Sequence, residues 1–257
     1  MALAEGTNAG RSRFQKKRRK WVKRYGKRGL RRANALFGRQ SLVPTAPVLD
    51  ASHFPWAHDF EAAWRDVRYE AERVLALFKH LPKFYEVSPD QARIAGDDSW
   101  LTFVLYGFGY RAEHGCRVCP ETARLLDRVP GIQTAFFSIL LPGAKVPRHR
   151  GFTRGLIRCH LGLMVPEPRE RCAITIDDAP YLWEEGKTLL FDDTYPHAVS
   201  NDTDQLRVVL LFDFHRPMRP LGRLVNRAAL SLMRRTAVVQ DSLRVHARWE
   251  REFLGRD

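Results

Sequence analysis

A chain of 257 residues, 44% hydrophobic and 28% charged, is long enough to bury one sizeable core and carry appendages, which excludes a wholly disordered or fibrous protein. No run approaches the roughly 20 apolar residues of a membrane-spanning helix, and the basic N-terminus lacks the apolar stretch of a secretory signal. The net charge of +14 is unevenly spread: residues 1–40 carry 14 of the 43 Lys/Arg and one of the 29 acids, leaving 29 cations against 28 acids elsewhere.

In chain order, residues 1–40 read as a basic leader. Trp21, Tyr25, Ala33 and Phe37 recur at helical spacing among the cations, with Val22 and Leu36 alongside, while Gly26 and Gly29 weaken any continuous helix. Apolar residues on one side and Lys/Arg on the other suit residues 11–39 to an anionic membrane surface. A disordered basic tail fits the same composition. Nucleic acid is the weaker partner, because the rest of the chain is expected to offer no basic patch. Residues 41–95 read as a charge-free, proline-bearing linker at 41–47, followed by one amphipathic helix over 58–80. A shorter helix is expected in "CPETARLLDRV" (119–129), begun at its proline. Cys116, Cys119, Cys159 and Cys172 read as reduced thiols of a cytosolic protein. Cys116-Arg-Val-Cys119 has half the spacing of a zinc site, but no second pair completes it.

The hydrophobic period then changes to two. "TAFFSILL" (134–141), "GLIRCHLGLMV" (155–165), "CAITID" (172–177), "KTLLFD" (187–192) and "RVVLLFDF" (207–214) read as closely spaced strands of a sandwich or closed barrel. Residues 96–218 are therefore assigned to a β-domain, and 219–257 to a helical C-terminal segment.

Within the strand "GLIRCHLGL", Arg158 and His160 share the face opposite Ile157, Cys159, Leu161 and Leu163. His149, in "KVPRHRGF", and His197, in "TYPHAVSN", each precede by nine or ten residues an arginine on a strand, Arg158 and Arg207. This repetition suits two histidines at one barrel mouth and two arginines lining the interior. His149 lies between Arg148 and Arg150, whose charge should favour its neutral, metal-binding form.

The stretches "FSILLPGAKVPRHRG", "RCHLGL", "WEEGKTLLFDDTYPHAVSN" and "LRVVLLFDFHRP" together resemble the aspartyl/asparaginyl β-hydroxylase family, including its bacterial lipid A acyl-chain hydroxylase branch. The resemblance covers about half the chain. It implies a mainly β fold with flanking helices, a double-stranded β-helix (cupin-like jelly roll), and Fe(2+), 2-oxoglutarate and O2 as reactants. It implies that His149 and His197 are the metal ligands and that Ser138, Arg158, His160 and Arg207 bind 2-oxoglutarate. Gly151 stands where related iron oxygenases place an acid ligand. The resemblance puts Asp193 outside the ligand set, holding a water on the iron. Two arginines and two hydrogen-bonding side chains suit a buried dicarboxylate.

The implied activity is a hydroxylase inserting one oxygen into a C–H bond, most simply of a lipid-linked acyl chain at the inner face of the cytoplasmic membrane. A peptidyl Asp/Asn substrate is the alternative, and a basic nucleic-acid-binding protein on a cupin scaffold is the non-enzymatic one. "DDSWLTFVLYGFGY" is the expected substrate-facing wall, with Trp100 and Arg150 as expected contacts.

Overall fold

The computed structural model describes residues 28–76, 81–87, 98–236 and, in the C-terminal segment, 239, 240, 242, 244, 245 and 249. The leader up to residue 27, and most of the helical C-terminal segment beyond residue 236, lie outside these described residues.

Two β-sheets face each other. The larger uses seven strands in the order β1 (Val48–Leu49), β9 (Thr188–Phe191), β6 (Leu156–Met164), β11 (Arg207–His215), β4 (Ile132–Leu140), β2 (Trp100–Gly107) and β3 (Tyr110–Arg111). The smaller orders β5 (Lys145–His149), β10 (His197–Asn201), β7 (Cys172–Ile176) and β8 (Ala179–Leu182). All these pairings are antiparallel. This is the jelly roll expected from the sequence.

The central strands of the larger sheet are apolar throughout because both of their faces are covered. Outward residues such as Phe137, Leu161, Leu210 and Phe212 pack under helices, while inward Phe136, Leu140, Val209 and Leu211 pack on Val146, Ile174, Ile176 and Val199 of the smaller sheet. Arg158 and His160 point inward by the same alternation, into a face that is otherwise largely apolar. The strands the sequence did not announce are β1, β2, β3, β5, β8 and β10. Most of these are short or half-polar, and β5 ("KVPRH") includes a proline and lies at a sheet edge.

The single helix expected over 58–80 is two: α2 (Trp56–Ala62) and α3 (Trp64–Leu75), with Ala63 outside helical geometry between them. (Residues 28–40 form α1.) The break lets each piece meet its own neighbours. Phe60 of α2 stacks on Phe212 at 5.0 Å, while α3 buries Val67, Ala71 and Val74 and sets Trp64 over Gly186. Gly186 has positive φ, and a Cβ there would run into that indole. Next come the short helix α4 (Phe84–Val87), then α5 (Glu113–Val118) and α6 (Pro120–Leu126), the last begun at its proline as expected. No disulfide joins the four cysteines, all of which are buried.

Residues 41–47 lie along the barrel. Leu42 N–H donates to Pro217 O at 2.9 Å and Asp192 N–H to Pro47 O at 3.0 Å. Arg216, fully buried, holds the segment from inside. It donates to Pro44 O (3.1 Å), to Arg154 O (2.8 Å) and to the buried carboxylate of Asp192 (2.7 Å), which Arg154 also approaches at 3.2 Å. Breaking a buried pair by removing one partner costs roughly 3–5 kcal/mol, because the surviving charge stays desolvated. Asp192→Asn should therefore lower unfolding free energy by about that amount in urea titrations at pH 7. A loss below about 1 kcal/mol would show that the pair is solvated in solution.

Candidate active site

β5 ends at His149 and β10 begins at His197, and the two are cross-strand partners at a register shift in the ladder. Their ring centroids are 4.2 Å apart. Each Nδ1 faces a main-chain carbonyl two residues earlier: Pro147 O at 2.9 Å for His149, Tyr195 O at 3.0 Å for His197. A carbonyl only accepts, so Nδ1 carries the proton and Nε2 presents its lone pair, the tautomer a metal needs. Nε2 of His197 is buried and has no partner. Burial lowers the His149 pKa and takes that of His197 down to about 3, and Arg158 pushes both the same way. The flanking arginines are not the cause the sequence suggested. Arg148 pairs with Asp178 at 2.7 Å, and Arg150, exposed, donates to Thr194 O at 3.2 Å.

Gly151 and Asp193 form one unit. Gly151 N–H donates to Asp193 O at 2.7 Å, and a Cβ on residue 151 would collide with the Asp193 carboxylate. The acid thus occupies space that a side chain at 151 would fill. Burial, with Asp213 and Asp192 nearby, raises the Asp193 pKa to about 7 against the pull of Arg158, whose Nη2 lies 3.5 Å away. Arg158 itself forks onto Asp213, its register partner across β6 and β11, at 2.8 and 2.9 Å. The two arginines therefore differ: Arg158 is already paired with protein carboxylates.

Arg207 is not. It is buried at the start of β11, donates from Nη1 to Ser138 O and Oγ at 3.2 and 3.3 Å, and lies 4.6 Å from the Trp183 ring. Among the described residues no carboxylate pairs with it, and its Nε has no acceptor. Burial lowers its pKa to about 10. Trp100 donates to Ser138 Oγ at 3.0 Å, and Trp183 donates to His160 Nδ1 at 3.2 Å. His160 is therefore protonated on Nε2, which is buried and unpartnered. Phe191 separates the groups, 5.1 Å from His160 and 5.5 Å from His197.

A cavity of about 430 Å³ opens beside these groups, within the usual range for ligand sites. His149, Arg158, Asp193 and Asp213 line its polar end. Trp100, Phe136, Leu211 and α7 (Pro220–Arg234) line much of the rest, and Arg150 reaches its rim. Ser138, His160, His197 and Arg207 are buried and do not line it. Trp100 does line it, stacked on Phe84 at 3.8 Å.

The donor set fits a metal and a dianion. His197 Nε2 offers a lone pair, whereas His160 Nε2–H and Arg207 Nε–H are buried donors without acceptors. Sequence reading missed Asp213 and Trp183. Asp213 was recoverable, since it shares the inward parity of Arg207, Val209 and Leu211; nothing in the sequence marks Trp183.

The pattern of the aspartyl/asparaginyl β-hydroxylase family matches residues 61–217. The chain is 42% identical over 221 residues to an ornithine lipid ester-linked acyl 2-hydroxylase from Rhizobium tropici, covering 86% of this chain and 79% of that one. It is 33% identical over 162 residues to the human aspartyl/asparaginyl β-hydroxylase, covering 61% of this chain but 20% of that one. A solved cupin domain of a transcriptional regulator from Enterobacter cloacae superposes over 46% of the chain with a TM-score of 0.32 and 16% identity. The chain belongs to the aspartyl/asparaginyl β-hydroxylase family, a family of hydroxylases.

The lowered histidine pKa sets a pH dependence. Between about 6.5 and 3 the unfolded chain binds a proton at residue 197 that the metal-free folded chain does not, so stability falls as pH falls through that window. Urea midpoints of metal-free protein should drop more steeply from pH 7 to 4 than those of His197→Gln. Parallel curves would show that the ring is not buried neutral.

Proposed function

We propose that the protein is an Fe(II)- and 2-oxoglutarate-dependent dioxygenase that hydroxylates an ester-linked acyl chain of a membrane lipid at the carbon next to its carbonyl. The observation that carries the co-substrate reading is Arg207, a buried guanidinium with free donor capacity and no acid of its own. A planar fork that keeps its proton at pH 7 suits one carboxylate of a dicarboxylate, and Ser138 and His160 Nε2–H add donors to the same ligand.

His149 and His197 would hold the iron through their Nε2 atoms, each kept in that tautomer by its own carbonyl. When bound, ferrous ion supplies the coupling of O2 reduction to decarboxylation of 2-oxoglutarate, one oxygen atom passing to the substrate C–H bond and the other to succinate. The rest is positioning and exclusion of water. Asp213 and Asp193 hold Arg158, while Gly151 gives the Asp193 carboxylate room beside His149. The Phe191 ring packs against both His160 and His197.

Two observations support an acyl substrate over a peptide side chain. The cavity wall away from His149 is aromatic and aliphatic. The rhizobial relative that matches across most of both chains is named for an ester-linked acyl group, which favours an amino-acid lipid over lipid A as the headgroup. Such an enzyme works at the inner face of the cytoplasmic membrane. Among the described residues no helix is long and apolar enough to cross it.

His149→Ala should abolish iron-dependent succinate formation; normal turnover would eliminate the metal assignment. Arg207→Met should raise the half-saturating 2-oxoglutarate concentration about 10- to 150-fold, the worth of a charge-assisted pair, while leaving thermal stability equal or higher. Loss of stability with unchanged co-substrate demand would make Arg207 purely structural. Mass spectrometry of total lipids from cells with and without the gene decides the substrate. A gain of one oxygen in an acyl fragment supports the proposal; the same gain confined to Asp or Asn residues of proteins supports the peptidyl alternative.

A further inference from the structure

The helix α7 that walls the cavity is amphipathic in an unusual way. Its inward side buries Gly222, Asn226 and Leu230, and Leu230 and Met233 line the cavity. Its outward side, at spacings of three and four, presents Leu221, Leu224, Ala228 and Leu232, the three leucines 55%, 68% and 71% exposed. Single exposed leucines are ordinary, but a stripe of them along one helix is not.

The charge carried by α7 and its flanking residues has one sign. Between Asp213 and Asp241 the sequence holds six arginines and no acid, and between Glu5 and Asp50 it holds no acid either. Arg216 is spent on Asp192, but Arg219, Arg223, Arg227 and Arg235 are exposed and make no ion pair among the described residues. Arg39, also exposed, brings α1 to the same end, where Arg219 N–H donates to Gln40 O at 2.9 Å. The expectation that the chain beyond the leader lacks a basic patch is thus corrected. An even overall balance concealed a local excess.

We propose that the outer face of α7, with the adjoining end of α1, seats the protein on an anionic lipid bilayer and sets the cavity mouth at the membrane surface. This deepens, and rests on, the reading of the substrate as a bilayer lipid. Leucines edged by arginines match the interfacial zone, where apolar groups enter the acyl boundary and cations meet the headgroups. Charge complementarity excludes the competing occupants. A second copy would set arginine against arginine. A duplex would bind the cations but leave the leucines no apolar surface to meet. Phe152, 45% exposed, lines the same cavity as Leu230 and Met233, and its carbonyl accepts from Asn34 of α1 at 3.1 Å. The seat and the cavity therefore adjoin through Phe152, α1 and α7.

The test is flotation of full-length protein with vesicles of phosphatidylcholine alone and with phosphatidylglycerol added. Neither variant used touches the cavity. Leu224→Ser/Leu232→Ser should weaken vesicle binding about tenfold or more at unchanged melting temperature and unchanged turnover of detergent-dispersed lipid. Arg223→Gln/Arg227→Gln should cut the preference for anionic over neutral vesicles roughly tenfold. Wild-type vesicle binding by both variants overturns the proposal, even if lipid is hydroxylated. So does retention on duplex DNA without vesicle uptake. Vesicle binding that depends on α7, with no hydroxylated lipid found, retires the substrate reading and leaves the seat standing.

Discussion

An arginine sealed inside a β-barrel without an acid is the constraint around which the rest of the molecule is arranged. Desolvating such an ion costs several kcal/mol even after relaxation. Two hydrogen bonds to Ser138 and the face of Trp183 at 4.6 Å return only part of that, and burial alone draws the pKa down to about 10. At pH 7 the charge nevertheless stays. Contrast Arg158 and Arg216, equally interior yet matched by Asp213 and Asp192 at 2.9 Å or less. The chain pairs two of these three arginines and leaves the third, at the start of β11, with donors to spare.

The same economy of local partners decides what each histidine can do. His149 and His197 face carbonyls through Nδ1 and so present lone pairs; His160 accepts an indole proton at Nδ1 and so presents a hydrogen. One residue type thus presents both lone pairs and a hydrogen-bond donor, with the tautomer written by main chain and tryptophan. All three are held neutral by burial. Charging any of them would oppose the cations already present.

Much of this was legible beforehand. The five apolar runs became β4, β6, β7, β9 and β11 nearly to the residue; β4, β6 and β11 are apolar along most of their length because both faces are covered, while β7 alternates buried and partly exposed residues. Parity along "GLIRCHLGL" put Arg158 and His160 on one interior face, and the structure keeps them there. What escaped was whatever depends on a distant neighbour. No local signal says that Asp193 fills the volume left by Gly151, that Trp183 reaches His160, or that a helical pattern over 58–80 breaks at Ala63 to serve two partners. The basic face of α7 was visible in the residue order and was lost only by counting charge over too long a window.

Polarity is also ordered in depth, and that order constrains how reactants could meet. Ser138, His160 and Arg207 lie off the cavity wall, whereas His149, Asp193 and Arg158 are on it. A ligand in the cavity therefore meets His149, Asp193 and Arg158 directly, whereas the free donors of His160 and Arg207 are buried away from it. The apolar wall contributed by Leu230 and Met233 belongs to the helix whose other face carries the exposed leucines. α7 thus presents apolar side chains on both sides, Leu230 and Met233 to the cavity and the leucines to the exterior, while Gln133, Thr134 and Thr153 add polar groups to the cavity lining. Arg207 is set apart from that lining, buried with no carboxylate against it among the described residues and with an Nε–H that lacks an acceptor.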